Sequence, residues 1–346
     1  MSERNAEHFH HHFGRLLSGE SLTAADAEAV MGELMDGLLT PAQAGGLLAA
    51  LRTRGETVSE ITGFARAMRN RAVTVPTTAR PLVDLCGTGG TGLATMNVST
   101  TAAFVVAAAG GKVAKHGNRG VTKQSGSADV LEALGVHLDV PEAALGEAVD
   151  RTGVAFLFAR NHHPAMRHAA PIRADLKART VFNVLGPLTN PAGATRQLLG
   201  VYDPQLVRPL AEVLRDLGAE RALVVHGSGL DDFTLAGDTR VAELQAGGQV
   251  EERTITPETV GLMRAPLEAI AGGGPEENAR LTREVLAGRE TGPRADVVAF
   301  NAGAALFLAD LAPDLPAGVQ LARETLAAGA ALETLDAYAA FTQAFA

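Results

Sequence analysis

Beyond Pro81 the chain alternates short apolar, strand-prone runs with alanine-rich stretches of helical spacing, and this alternation restricts its fold more than any other feature. Candidate strands lie at 82–86, 112–115, 155–158, 198–201 and 222–226, and candidate helices at 98–109, 127–134, 205–217, 275–287 and 317–328. Such an order predicts an α/β architecture, a mostly parallel sheet covered by helices. Ligands of such sheets bind outside the carboxyl ends of the strands, here the loops after Cys86, Lys115 and His226. The first 75 residues have a different texture. Thr23 with Asp26, Thr40 with Gln43 and Thr57 with Glu60 have capping-box spacing, Pro41 suits a first helical position, and Gly37 and Gly55 mark stops. Leucine, valine and methionine recur between them at helical intervals, which predicts a small all-helical domain joined by the Thr74–Pro81 linker to the larger α/β domain.

Several function classes are disfavoured by the same residues. The longest apolar stretch, Ala102 to Ala109, is too short to span a bilayer, and the N-terminus carries no apolar signal core. The single cysteine, Cys86, allows no internal disulfide and fits a reducing, cytoplasmic setting, with a small buried thiol at a strand end. With 39 acidic against 30 basic residues, a net charge of −9, the chain lacks the extended basic stripe that nucleic-acid binding uses. His8, His10, His11 and His12 are expected to be solvated in a frayed terminus rather than to hold a metal.

The strand ending at Cys86 runs into Gly87-Thr88-Gly89-Gly90-Thr91-Gly92, followed by Asn97-Val98-Ser99-Thr100, Lys115-His116-Gly117-Asn118-Arg119 and Ser125-Gly126-Ser127. Glycines let backbone approach a ligand and turn N–H groups inward, and a helix start behind them attracts anions. No acidic residue occurs between Asp84 and Asp129, whereas Lys112, Lys115, Arg119 and Lys123 do, so a local positive field is expected around a polyanionic ligand. Gly87, Gly89 and Gly92 also satisfy a dinucleotide fingerprint, but the acid expected about twenty residues on is replaced by Lys112 and Lys115, and no Gly-Lys-Ser/Thr of a P-loop follows.

Two further constellations stand out. In His226-Gly227-Ser228-Gly229-Leu230-Asp231-Asp232 the adjacent carboxylates form a hard-oxygen pair suited to Mg²⁺ together with substrate phosphates, or else a solvated turn. Residues 160–196 hold six basic residues, Arg173 among them, against the single acid Asp175, and contain His163-Pro164-Ala165-Met166 and Gly186-Pro187-Leu188-Thr189-Asn190-Pro191. An arginine there could grip a carboxylate bidentately, although pattern alone does not choose which.

Taken together, the glycine loop, the Asn97–Thr100 and Lys115–Arg119 motifs, Ser125 to Glu132, His163 to Met166 and Gly186 to Pro191 resemble the anthranilate phosphoribosyltransferase family, and the likeness runs over nearly the full chain. The resemblance implies transfer of the phosphoribosyl group of phosphoribosyl pyrophosphate to the amine of anthranilate, a step of tryptophan biosynthesis, by a Mg²⁺-dependent cytoplasmic homodimer. It implies a helical domain of residues 1–75 with part of about 160–190, and an α/β domain over the rest of 76–346. Carried over residue by residue, Gly87, Gly89, Gly90, Asn97, Ser99, Thr100, Lys115 and Ser127 would bind phosphoribosyl pyrophosphate. Gly87, His116, Asn118, His163 and Arg173 would meet anthranilate, with Arg173 on its carboxylate, and Ser99, Asp231 and Asp232 would hold Mg²⁺. No general base is nominated, because an aromatic amine is already neutral near pH 7 and positioning should matter more.

The chain departs from the family at Thr91 and Asp232, where Asp and Glu are usual, and at Arg160, where proline is common. The first two are expected to weaken donor or metal binding, and the third to alter the outer acceptor channel. Two other functions compete: a diverged relative that binds nucleic acid, against which Asp231-Asp232 and the acidic balance argue, and a pyrimidine nucleoside phosphorylase, against which Asn118 and Arg173 argue.

Overall fold

The computed structural model describes residues 3–90, 92–120 and 124–346. Four helices open the chain, Glu3–Leu17, Ala24–Met35, Pro41–Arg54 and Val58–Arg69. Thr40/Gln43 and Thr57/Glu60 form reciprocal capping boxes. At Thr23 the side chain accepts the Asp26 N–H, and the Asp26 carboxylate also bonds Arg15 at 3.1 Å. Glu60 is fully buried and does more than cap: it accepts the Leu22 and Thr57 N–H groups, both at 2.9 Å, and pairs with Arg54, so one carboxylate ties three segments together.

The terminal helix is docked rather than frayed, which corrects the expectation for two of its histidines. Phe9 and Leu16 lie in the core, His12 is buried, and His8 Nδ1 bonds Glu33 at 2.8 Å. His10 and His11 are exposed as expected.

The sheet comprises β1 (Leu82–Gly87), β2 (Lys112–Gly117), β3 (Val154–Phe158), β4 (Arg196–Gly200), β5 (Arg221–Gly227), β6 (Thr239–Leu244) and β7 (Val250–Ile255), in the order β3-β2-β1-β4-β5-β6-β7. The first five strands are parallel, and β6 and β7 add an antiparallel hairpin at one edge. Alternation along the strands divides the core. Leu198, Leu223, Val225 and Val241 face a cluster built from helices Val98–Ala108, Pro293–Leu308 and Leu315–Ala327. Their neighbours Leu199, Ala222, Val224 and Ala242 face a second cluster formed with helix Val207–Asp216 and the N-terminal helices. Ala169 and several residues from Val181 to Leu188 join that second cluster with the N-terminal helices. The linker crosses the 160–191 segment by Val73 N–H to His162 O (2.8 Å) and Val75 N–H to Pro191 O (3.0 Å).

Strand order reverses between β1 and β4, whose terminal residues Gly87 and Gly200 are paired in register. A crevice opens where the loops leaving two such strands diverge, and this one is where the glycine loop begins.

Candidate active site

Space at this crevice is made by glycine. A Cβ on Gly87 would lie 2.3 Å from Asp231 Oδ2, and one on Gly200 would lie 1.6 Å from the Asp231 carbonyl oxygen. The Gly227–Asp232 turn is thereby laid directly over the ends of β1 and β4. Gly89 and Gly90 have φ of 65° and 82°, a left-handed backbone that turns the loop back. Gly89 N–H donates to Asp231 Oδ2 at 2.7 Å, Thr88 N–H donates to Gly200 O at 2.9 Å, and Tyr202 N–H donates to Thr88 Oγ1 at 3.0 Å. Thr91 and Lys123, singled out in the sequence, lie outside the described residues.

Beneath the loop sit two buried charges. Lys115 is 3% exposed and donates to Leu85 O and to Ser99 Oγ, the latter at 3.2 Å. Burial lowers its pKa, opposed by Asp84, Cys86, Asp232 and Asp231. Asp84 is fully buried; burial raises it to about 6, against the pull of Lys115, the Asn190 amide and the His116 N–H. Its carboxylate accepts Asn190 Nδ2 (2.9 Å) and His116 N–H (3.0 Å), locking β1, β2 and the Gly186–Pro191 turn together. A charge so far from water persists only with such partners.

The positive field is narrower than the basic cluster predicts. Arg119 is paired with Asp129 and Glu132, and Lys112 is spent on the Val149 and Asp150 carbonyls, which leaves Lys115 as the described lysine aimed at the crevice. Asn97 is also committed: its amide donates to Ser125 O at 3.2 Å and its oxygen accepts Asn278 Nδ2 at 2.8 Å, so its side chain fixes the start of helix Val98–Ala108 against the Ser125 loop and the first turn of helix Pro275–Leu286. Thr100 is buried one turn in, and Ser127 Oγ donates to Asn118 O at 3.1 Å.

On the far side of β2, His116 Nδ1 donates to Gly186 O at 3.0 Å, which places the proton on Nδ1 and leaves Nε2 as a buried acceptor without a partner among the described residues. The His163 ring lies 5.1 Å away, centroid to centroid, with Nε2 3.5 Å from Thr189 Oγ1. Burial lowers His116 to about 3 and His163 to about 4, so both rings are neutral at pH 7. Arg173, on the short helix Ala170–Leu176, lies over the Phe182 ring at 5.3 Å; burial lowers its pKa and no described carboxylate pairs with it. Asn118 is exposed at the exit of β2, its Oδ1 accepting the Arg119 N–H.

The structure thus gathers Gly87, Gly89, Lys115, Ser99 and Asp231 around one crevice and sets the His116–His163 pair on the other side of β2. Asp84, Asn190, Arg179 and Gly200 were not singled out in the sequence as site residues. Asp84 had a signal, a carboxylate inside an otherwise apolar strand; Gly200 had none, since its role depends on a loop thirty residues on.

The architecture and crevice define a glycosyl transferase: the helical-bundle domain of that family matches residues 11–72 and its a/b domain matches residues 79–332. An anthranilate phosphoribosyltransferase of Thermus thermophilus is 54% identical over 330 residues, covering 95% of this chain and 98% of the relative, and one of Deinococcus radiodurans is 52% identical with 95% and 97% covered. A crystal structure of the Thermus thermophilus enzyme superposes with a TM-score of 0.91 at 53% identity, covering 96% of this chain and 99% of that one. A Saccharomyces cerevisiae enzyme solved in complex with PRPP and Mg gives 0.88 at 28% identity, with 97% and 98% covered. The chain belongs to the anthranilate phosphoribosyltransferase family.

Proposed function

We propose that the chain joins phosphoribosyl pyrophosphate to anthranilate in tryptophan biosynthesis, with the donor in the β1–β4 crevice and the acceptor on the His116–Arg173 side. The observation that carries this placement is the glycine loop itself, whose Gly89 N–H already grips a carboxylate oxygen, Asp231 Oδ2, as it would grip a phosphate oxygen. Lys115, Ser99 and the start of helix Val98–Ala108 supply the remaining donors, with Gly87, Gly90, Asn97, Thr100 and Ser127 shaping the pocket. His116, His163 and Asn118 line the acceptor channel, and Arg173 meets the carboxylate. Supporting the last role are a half-buried guanidinium stacked on an aromatic ring and unpaired with any described acid.

The residues suit Mg²⁺. Among the described residues no three His, Cys, Asp or Glu side chains form a self-sufficient metal site. Asp231, Asp232 and the Ser99 hydroxyl are hard oxygen donors of the kind that hold Mg²⁺ jointly with substrate phosphates. The bound ion would neutralise charge on the departing diphosphate. In the reaction the anthranilate nitrogen forms a bond to the anomeric carbon, the carbon–oxygen bond to diphosphate breaks with its electron pair leaving on oxygen, and the amine gives up one proton to water. Loop N–H groups and Lys115 face the negative charge that grows on the leaving group, the electrostatic stabilisation expected to dominate. Neither His116 nor His163 is basic enough to hold the amine proton at pH 7, in keeping with catalysis by positioning.

We also divide the chain into a helical unit of residues 1–75 with part of 160–190 and an α/β unit over the rest, so that acceptor-side Arg173 belongs to the first and the donor loop to the second. Support comes from the buried cluster that Ala169 and Val181 to Leu188 share with the N-terminal helices. A cytoplasmic homodimer completes the proposal, testable by light scattering. The site assignment is tested by calorimetric titration of phosphoribosyl pyrophosphate with varied Mg²⁺: Asp232→Ala is expected to shift the Mg²⁺ dependence, and an unchanged titration removes Asp232 from the metal site.

A further inference from the structure

One contact with the glycine loop has no part in the scheme above. Arg179 lies three residues beyond the helix that carries Arg173, and its guanidinium donates to the Gly90 carbonyl. The same guanidinium is stacked on the Tyr202 ring with Cζ 4.0 Å from the centroid. Tyr202, just past β4, in turn donates its backbone N–H to Thr88 in the same loop. Arginine, loop and tyrosine therefore close a ring of contacts around Thr88–Gly90. The fit is tight, since a Cβ on Gly90 would come within 3.1 Å of Arg179 Nη2. No described carboxylate pairs with Arg179, so its hydrogen bonding is directed at this carbonyl rather than at a salt bridge.

We propose that Arg179 is a positioning residue that sets the Thr88–Gly90 backbone for the donor diphosphate, bracing it from the acceptor-side segment against Tyr202. A guanidinium bound to the Gly90 carbonyl limits rotation about the Gly90 Cα–C bond and so restrains the backbone that carries the Gly89 N–H. The planar fork is suited to bond one oxygen while its face covers a ring, which an ammonium does not reproduce. The proposal rests on the glycine loop being the diphosphate site.

The test is a double-mutant cycle of Arg179→Ala and Tyr202→Leu, with KM measured for phosphoribosyl pyrophosphate and for anthranilate at saturating Mg²⁺, and thermal midpoints recorded alongside. Arg179→Ala is expected to raise the donor KM about tenfold, the effect of losing a hydrogen bond from a charged donor, and the acceptor KM less than about twofold. Tyr202→Leu, which removes no charge and keeps its backbone N–H, should raise the donor KM in the same direction, and the double variant should be no worse than Arg179→Ala alone. Arg179→Lys should recover only part of the loss. An unchanged donor KM in a normally melting Arg179→Ala protein overturns the proposal, as do equal rises in both KM values or strictly additive effects, which would make Arg179 a charge acting alone. If the wild-type protein itself fails to consume the donor, the diphosphate assignment falls, a result distinct from normal wild-type turnover with unshifted variants.

Discussion

Replacing Gly200 by alanine tests the architecture of the crevice at a residue that carries no chemistry. The added Cβ would sit 1.6 Å from the Asp231 carbonyl oxygen and 2.3 Å from its carbon. Both are backbone atoms, so no side-chain rotation relieves the overlap. To bring the closer contact to even 3.0 Å, the Gly227–Asp232 turn must retreat by about 1.4 Å. That movement breaks the 2.7 Å bond from Gly89 N–H to Asp231 and displaces the carboxylates assigned to Mg²⁺. Misplacement of an ångström at a reacting site costs about 10²-fold, so kcat/KM should fall by that factor, about 2.7 kcal/mol. The assay is the initial rate of anthranilate fluorescence loss at varied phosphoribosyl pyrophosphate and Mg²⁺, with thermal melting to confirm folding. Gly14→Ala is the control: no described residue lies within 4 Å of the new Cβ, and in the helix Glu3–Leu17 it should gain about 0.5–1 kcal/mol of stability with activity unchanged. A Gly200→Ala protein with wild-type kcat/KM and Mg²⁺ dependence would falsify the claim that Asp231 is placed by its contact with β4.

Other consequences are open to measurement. Arg173→Ala should raise the KM for anthranilate about tenfold and that for the donor much less, as loss of a charged hydrogen bond predicts; equal changes would take Arg173 off the carboxylate. Glu60→Ala should destabilise the protein by about 3 kcal/mol, because it removes the carboxylate partner of Arg54 and leaves the buried Leu22 N–H and the half-buried Thr57 N–H without their acceptor, and a thermal midpoint within a degree of wild type would contradict this. His116 and His163, lowered by burial to about 3 and about 4, bind protons in the unfolded chain first. The contribution of these two rings should therefore rise with pH from those values to about 6.5 and be constant above, with buried Asp84, raised to about 6, acting in the opposite sense over part of the window. The midpoint's acid-side slope should accordingly be shallower in His163→Gln, and an unaltered slope would show that His163 is not the buried neutral ring described.

What the sequence discloses here, and what it hides, follows from range of interaction. The capping boxes at Thr40 and Thr57 are legible because their bonds close within four residues. The parallel strands are legible because their residues are apolar on both faces, which is what burial under helices on both sides demands. By contrast β7, Val250-Glu251-Glu252-Arg253-Thr254-Ile255, is an exposed edge strand whose charges conceal it, and with it the hairpin to β6. Helix Pro293–Leu308 is buried almost all round and so shows no polar face to give it a period. At the site, the glycine loop declares itself by composition, but Arg119 only looks available until helix Ser127–Ala133 brings Asp129 and Glu132 back to it. Asn97, read from family likeness as a substrate donor, also has its side chain bonded to Ser125 and Asn278, the second of which lies 181 residues away. Gly200, Arg179 and Asn190 act through partners thirty to over a hundred residues distant, and no local pattern announces such contacts.

The most direct measurement is the fluorescence of anthranilate on mixing with the purified protein, phosphoribosyl pyrophosphate and Mg²⁺, with EDTA added to a parallel sample. A loss of fluorescence that requires the donor and is abolished by EDTA is the predicted result. A folded protein that binds the donor yet leaves anthranilate fluorescence unchanged in the presence of Mg²⁺ would contradict it.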